Sequence, residues 1–116
     1  MATVKSFGSV SEIVSSLREQ LSNNPKQALK ALVILFNRQT PDEQANAEVH
    51  HSNGVGFTRK DSKILTSFAK QHINGKTLSS KQMYLLLSLI PKYARQLVIR
   101  AIDNGTYKKE GGRWVY

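Results

Sequence analysis

A chain of 116 residues is long enough for one domain and too short for two full hydrophobic cores. It contains no cysteine, which excludes disulfides, cysteine-ligated metal centres and a cysteine nucleophile. Its net charge is +9, and its longest apolar run falls far short of the ~18 residues that a membrane span needs. We therefore expect a single domain, residues 1–116, in the cytoplasm and without a membrane partner.

The first half of the chain is predicted to be helical. Ser9 and Glu12 form a capping-box pattern, and apolar residues follow them at helical spacing. Asn24 before Pro25 marks a second helix start, and the helix it opens is apolar almost all round over residues 31–36, which is typical of a core helix. The predicted elements are a flexible N-terminal tail, helices over Ser11–Ser22 and Pro25–Asn37, a short polar helix from Thr40 to Val49, and a loop over His50–Phe57.

The second half is predicted to be helical up to a C-terminal hairpin. Ser79 and Gln82 cap one helix, and Pro91 interrupts the helical pattern because the residue before a proline avoids the helical region. The Gly111-Gly112 pair separates two β-prone runs. The predicted elements are helices over Lys60–Ile73, Ser79–Ile90 and Pro91–Asn104 and a hairpin over Thr106–Tyr116. The expected fold is mainly α: a compact helical domain of about five to six helices with a C-terminal β-hairpin.

Charge separates the two halves. Residues 1–49 hold five basic and five acidic side chains, whereas residues 50–116 hold twelve basic and three acidic ones, so the whole excess lies in the second half. Clustered cations release condensed counterions from phosphates, which makes nucleic acid the favoured partner. A solvated basic surface without a partner is the alternative. A membrane surface is disfavoured because no segment places large aromatic residues opposite its lysines.

The order helix, helix, hairpin over about residues 60–116 resembles a winged helix-turn-helix module. In that family the second helix of the pair enters the major groove, and the hairpin wing contacts the backbone or the minor groove. The resemblance divides the domain into a neutral helical part, residues 1–49, and a basic winged-helix-like part, residues 58–116. It implies a recognition-helix role for Lys92, Arg95, Gln96 and Arg100 and a wing role for Lys108, Lys109, Arg113 and Trp114.

Two alternatives to this arrangement stay open. The hairpin is equally compatible with a structural role in which Trp114 and Tyr116 cover the core, and Trp114 beside Arg113 also suits stacking on an unpaired base. The strandedness of the ligand is therefore undecided. A second basic surface is predicted on the helix over Lys60–Ile73, where Lys60, Lys63 and Lys70 lie away from the apolar side chains.

Short blocks of the sequence resemble those of small bacteriophage and mobile-element proteins, some of them encoded near DNA-remodelling helicases. The blocks are QTPDEQ (Gln39–Gln44), NGVGF (Asn53–Phe57), LTSFA (Leu65–Ala69), LSSKQ (Leu78–Gln82) and PKYARQL (Pro91–Leu97). This resemblance implies a phage or prophage setting, hence a host cytoplasm, and a role in DNA transactions. It supplies no catalytic residue.

Enzymatic functions are disfavoured by the residue types present. The adjacent His50 and His51 project differently and have no second pair at ligand spacing, and the basic half offers only isolated carboxylates where a two-metal nuclease needs several. NGVGF lacks the Lys-Ser/Thr ending of a phosphate-binding loop. It is better interpreted as a turn whose glycines permit positive φ, with Phe57 anchored on the core. No catalytic residue, metal site or cofactor is expected.

The sequence thus predicts a non-catalytic protein that binds nucleic acid, DNA rather than RNA, through a basic helix face and a C-terminal hairpin. The alternative is a phage-encoded inhibitor or adaptor that binds an acidic surface of a host protein. Ile99, an apolar residue on the polar face of its helix, suits either hypothesis as a thymine-methyl contact or as an interface anchor.

Overall fold

The computed structural model of the protein describes residues 6–39 and 56–115. Within these two segments the fold is mainly helical, with a small three-stranded antiparallel sheet, which confirms the predicted fold class in outline. The helices are α1 (Val10–Asn23), α2 (Pro25–Asn37), α3 (Ser62–Ile73), α4 (Ser80–Leu89) and α5 (Ala94–Asp103), and the strands are β1 (Ser6–Phe7), β2 (Lys108–Glu110) and β3 (Arg113–Val115). The predicted Thr40–Val49 helix and most of the predicted loop lie outside the described residues.

Side-chain caps fix where α1 and α2 begin. Ser9 Oγ accepts the backbone N–H of Glu12 at 3.2 Å, and Asn24 Oδ1 accepts two N–H groups from the first turn of α2. The Glu12 carboxylate accepts the N–H of Gly8 instead of the Ser9 N–H that a capping box uses. Both helices start within one residue of the predicted positions because the caps are local and therefore legible in the sequence.

Helix α4 has the predicted capping box, whereas α3 starts later than predicted. Ser79 Oγ accepts the N–H of Gln82 at 3.1 Å, and Gln82 Oε1 accepts the N–H of Ser79 at 2.8 Å. Helix α3 begins at Ser62 rather than Lys60, because a turn precedes it and the Asp61 side chain makes no capping bond to the helix. That carboxylate is buried and binds elsewhere in the fold.

The helix predicted over Pro91–Asn104 starts three residues later than predicted. The predicted bounds and number of helices were therefore wrong in this detail. A 3-10 turn, Ile90–Tyr93, joins α4 to α5, and α5 starts at Ala94. Proline has no N–H to continue the α4 hydrogen-bond ladder, so the chain tightens there. Lys92, predicted to lie on a recognition helix, therefore belongs to the turn before it.

The C-terminal hairpin is present, but it belongs to a larger sheet than predicted. Gly111 and Gly112 have φ of 57° and 79°, as a tight hairpin turn requires, and β2 pairs with β3. The order of strands is β1-β3-β2, with Phe7 opposite Trp114. The prediction of a flexible tail was thus wrong at Ser6–Phe7, where the chain covers the free edge of β3.

One hydrophobic core contains residues from both halves of the chain. Helix α1 packs against α2, α4, α5 and the 3-10 turn. Helix α2 contributes the largest buried set, which confirms its prediction as a core helix: Ala28, Ala31, Leu32, Leu35 and Phe36. Phe57 is only 2% exposed and packs edge-on against Tyr93, with ring centroids 6.2 Å apart, so the predicted anchoring role of Phe57 is confirmed.

Candidate nucleic-acid interface

Every basic side chain between residues 56 and 115 is exposed. The twelve residues are Arg59, Lys60, Lys63, Lys70, Lys76, Lys81, Lys92, Arg95, Arg100, Lys108, Lys109 and Arg113. Of the three acidic residues in the same segment, Asp103 and Glu110 are exposed and Asp61 is buried. The surface of this segment therefore carries twelve positive and two negative side chains, an even stronger bias than the sequence count indicates.

The first basic surface lies on α3 and the turn before it. Lys63 and Lys70 are two helical turns apart and both exposed, with the exposed Ser67 between them. Arg59 and Lys60 extend the row into the preceding turn. The opposite side of α3 is buried and packs on α2. We call Arg59, Lys60, Lys63 and Lys70 the α3 row. The three lysines were predicted from the sequence, whereas Arg59 was missed although it lies beside Lys60.

The second basic surface lies on α5. This helix buries Ala94 and Leu97 towards the core, while Arg95, Ile99 and Arg100 are exposed on its other side. Ile99 is 48% exposed. Arg95 makes no ion pair or hydrogen bond with any described residue. Its guanidinium is thus available to an anionic partner.

Lys92, next in the predicted recognition set, has a structural partner. It forms an ion pair with the carboxylate of Asp61, whose side chain is 3% exposed against 45% for that of Lys92. Tyr93 Oη donates to Asp61 Oδ2 at 2.7 Å, and the N–H of Thr58 donates to Tyr93 Oη at 3.1 Å. These contacts tie the turn before α3 to the 3-10 turn before α5. We call Thr58, Asp61, Lys92 and Tyr93 the Asp61 cluster.

Protonation states in the Asp61 cluster are set by its own contacts. Burial alone would raise the pKa of Asp61, but the hydrogen bond and charge of Lys92 and the hydrogen bond from Tyr93 outweigh it and lower that pKa below its ordinary value of 3.8. Burial and the neighbouring Asp61 raise the pKa of Tyr93 to about 12, against opposing bonds from Thr58. Asp61 stays ionised and Tyr93 stays protonated at neutral pH, so the direction of their hydrogen bond is fixed.

Gln96, also predicted to contact nucleic acid, holds the backbone of the neighbouring segment. Its Oε1 accepts the N–H of Gly56 at 2.7 Å, and its Nε2 donates to the Gly56 carbonyl at 3.1 Å. Gln39 Oε1 accepts the N–H of Phe57 at 2.8 Å. Gly56 has φ of 80°, and a Cβ there would overlap the Gln39 side chain, so both the backbone conformation and the space require glycine. Both ends of the Gln96 amide are thus bonded to the backbone of Gly56.

The hairpin divides its predicted contact residues between two faces. Lys108 and Arg113 lie on one face, where Arg113 Nε donates to Ser6 Oγ at 2.7 Å. Lys109 and Trp114 are cross-strand partners on the other face, with Phe7 beside Trp114. Trp114 is half-buried and packs on the hydrophobic core. The structure thus favours the core-covering interpretation of Trp114, while the three cations remain exposed.

The described segments contain neither a metal-ligand cluster nor a membrane-spanning helix. No group of three or more histidine or carboxylate side chains there lies close enough together to hold a metal ion. His72 is half-buried on α3, and His50 and His51 lie outside the described residues. None of the helices in residues 6–39 and 56–115 has the length and apolarity to cross a bilayer.

The structure brings the predicted residues together only in part. It places Arg95 and Arg100 on one exposed helix face and the hairpin cations on a separate sheet, while Lys92 and Gln96 turn to partners more than thirty positions earlier in the chain. The Asp61 cluster was missed because its members are far apart in sequence. Comparison of the chain with protein-family models, curated proteins and solved structures gave no significant match.

Proposed function

We propose that the protein is a non-catalytic nucleic-acid-binding protein, with DNA favoured over RNA. The supporting observation is the exposure of all twelve basic side chains between residues 56 and 115 against two exposed acidic ones. Cations held on rigid helices displace condensed counterions when they meet phosphates, and the released ions supply most of the binding free energy. Only Lys92 among these twelve is ion-paired with a described acidic residue.

Two surfaces are proposed to supply most of the contacts. The α3 row offers four exposed cations in succession, and α5 offers Arg95 and Arg100. The hairpin cations add a third set beside the sheet. A winged-helix mode of binding is supported by the chain order α4, α5, hairpin, but Lys92 and Gln96 have partners within the fold and contribute less to it.

A phage or prophage setting is proposed on the short sequence blocks alone. In that setting the protein would act in the cytoplasm of the host, in DNA replication, recombination or remodelling. Absence of catalysis is likewise a proposal, and it rests on the isolated positions of Asp61, Asp103 and Glu110. Incubation of labelled DNA with the protein and Mg²⁺ or Mn²⁺ tests it: we expect intact DNA, and cleavage that follows the purified protein would contradict it.

Charge reversal on the α3 row tests the proposed binding. Fluorescence anisotropy with a labelled DNA at low salt should give a Kd in the micromolar range or below for the wild-type protein. Lys63→Glu with Lys70→Glu should weaken binding at least tenfold, because two attractive contacts become repulsive. Arg18→Glu with Lys26→Glu is the matched control, since both are exposed cations in the neutral part, and it should change the affinity by less than about twofold. Equal effects of the two changes would contradict the proposed surface.

A protein partner is the second candidate, and Ile99 favours it. An apolar side chain that is 48% exposed among arginines is typical of an interface anchor surrounded by polar contacts. If the protein fails to bind any nucleic acid, this face of α5 becomes the proposed docking surface for an acidic protein. Ile99→Ser should then reduce binding to that partner without affecting the melting temperature.

A further inference from the structure

A groove runs between α1, α2 and α5 on the side of the molecule where the sheet joins the helices. It consists of two adjoining hollows of about 240 Å³ and about 190 Å³. Leu17, Gln27, Lys30 and Tyr107 line both, so the two form one continuous depression. Each is several times larger than the ~30 Å³ share of one water molecule, which leaves room for a planar ring system.

The larger hollow has mainly apolar walls, whereas the smaller one combines aromatic rings with polar side chains. Leu17, Ile34 and Leu97 line the larger hollow, and Phe7 lines the smaller one. Tyr107 stands where the hollows meet, half-buried and packed edge-on against Phe7 with ring centroids 6.2 Å apart. An aromatic ring held in this way offers a face for stacking at little cost in conformational entropy.

The rim of the groove is cationic. Lys30 comes from α2 and Arg100 from α5, and both are exposed. Within residues 6–39 and 56–115, no acidic side chain lines either hollow. Gln27 and Asn104 also line the larger hollow, and their amide side chains carry donors and acceptors of the kind that base edges use. A mainly apolar hollow, an adjoining hollow with aromatic rings and polar side chains, and a cationic rim together match a strand whose bases are unpaired.

We propose that this groove binds two successive unpaired bases of single-stranded DNA, one in each hollow, with Lys30 and Arg100 on the adjacent phosphates. The inference rests on the proposed function and decides the strandedness of its ligand. A duplex keeps its bases stacked and paired and cannot place them between helices without extrusion. The choice of DNA over RNA follows the proposed function.

A filled groove provides the main test. Ala101 lines the larger hollow and is half-buried, so Ala101→Trp occupies the space and leaves every charge in place. Anisotropy is measured with labelled oligothymidylate and with a duplex of equal length at the same salt. The wild-type protein should prefer the single strand by about tenfold, and Ala101→Trp should lose this preference while binding the duplex as before. A folded Ala101→Trp protein that keeps the preference would overturn the proposal, as would a wild-type protein that prefers the duplex.

A charge variant decides the matter if Ala101→Trp does not fold. Gln27 is exposed and lines both hollows, whereas Ser15 is exposed on α1 and lines neither. Gln27→Glu should weaken single-strand binding at least fivefold more than Ser15→Glu, although both add one negative charge. Equal effects of the two variants would overturn binding in the groove but leave binding by the general basic surface intact. If the wild-type protein binds no nucleic acid at all, the proposed function itself is overturned. Equal affinity for oligouridylate would overturn the assignment to DNA.

Discussion

Lys92 and Arg95 are neighbours in the same basic segment, yet they have different surroundings. Lys92 lies in the 3-10 turn and pairs with the buried carboxylate of Asp61. Arg95 lies one turn further on, on the exposed face of α5, and has no described partner. One cation therefore belongs to the fold, and the other is free for a ligand. Cations of the same segment therefore have different roles: one stabilises the fold and the other is available for binding.

The same division separates Trp114 from Arg113 in the hairpin. Trp114 packs on the core with Phe7, whereas the exposed Arg113 bonds to Ser6 and to no other side chain in the described segments. Buried contacts are costly to remove because the groups left behind lose both their partner and water. Exposed cations can be removed with little loss of stability. Removal of a buried contact should therefore lower the stability of the fold. Removal of an exposed cation should instead lower the affinity for DNA and leave the stability nearly unchanged.

Loss of Asp61 should give the largest effect. Asp61→Ala removes the acceptor of Tyr93 and the partner of Lys92, so we expect the free energy of unfolding to fall by about 2 to 4 kcal/mol. Urea unfolding measures it. Asp103→Ala is the control, because that carboxylate is exposed, and it should change stability by less than about 0.5 kcal/mol. Similar values for the two variants would show that the Asp61 cluster does not stabilise the fold.

Truncation of Trp114 should come next. Trp114→Ala empties a half-buried aromatic site, and we expect a loss of about 2 to 3 kcal/mol, below the 3 to 5 kcal/mol typical of a fully buried aromatic. Arg113→Ala, which removes only an exposed contact, should cost about 0.5 kcal/mol. Thermal unfolding and DNA affinity are measured together. A Trp114→Ala protein of normal stability that has lost DNA affinity would restore the wing role for this residue.

Alkaline pH should weaken the fold through Tyr93. Its pKa is raised from 10.0 to about 12 in the folded protein, so the unfolded chain releases this proton first. The stabilisation is complete below pH 10 and is lost as the pH rises to about 12. Unfolding in urea at several pH values should show this loss in the wild-type protein and in Tyr84→Phe, whose ring is 76% exposed, but not in Tyr93→Phe. An identical pH dependence in all three would contradict the assignment.

The smallest effect separates Arg95 from Lys92 directly. Arg95→Ala should weaken DNA binding by about 1 kcal/mol, roughly fivefold, and leave the melting temperature nearly unchanged. Lys92→Ala should instead lower the melting temperature, because it leaves the Asp61 carboxylate buried without its cation. Anisotropy and thermal unfolding on both proteins test this. A larger stability loss in Arg95→Ala than in Lys92→Ala would contradict the assignment of Lys92 to the fold and of Arg95 to binding.

Local patterns carried most of what the sequence predicted of the fold. Caps at Ser9, Asn24 and Ser79 and the Gly111-Gly112 turn act within a few residues, so the helix starts and the hairpin were accessible. The third strand at Ser6–Phe7 was not, because β1 pairs with residues near the opposite end of the chain. A two-residue strand has too little periodicity to be recognised.

The site was predictable in charge but not in arrangement. Counting charges located the basic half, and helical spacing located the faces of α3 and α5. The hydrogen bonds from Tyr93 to Asp61 and from Gln96 to Gly56 join residues 32 and 40 positions apart. Nothing in the local sequence distinguishes a lysine with a buried partner from one without, and the groove beside Tyr107 depends on three helices meeting.

The salt dependence of DNA affinity tests the central claim most directly. The Kd of the wild-type protein for one labelled DNA duplex is measured by anisotropy between about 50 and about 200 mM salt. If exposed cations neutralise about five phosphates of a DNA duplex, the logarithm of the association constant should fall against the logarithm of salt with a slope of about −4.5. Lys63→Glu with Lys70→Glu should make the slope shallower. A slope near zero, or no binding at the lowest salt, would contradict phosphate neutralisation as the function of the basic surface.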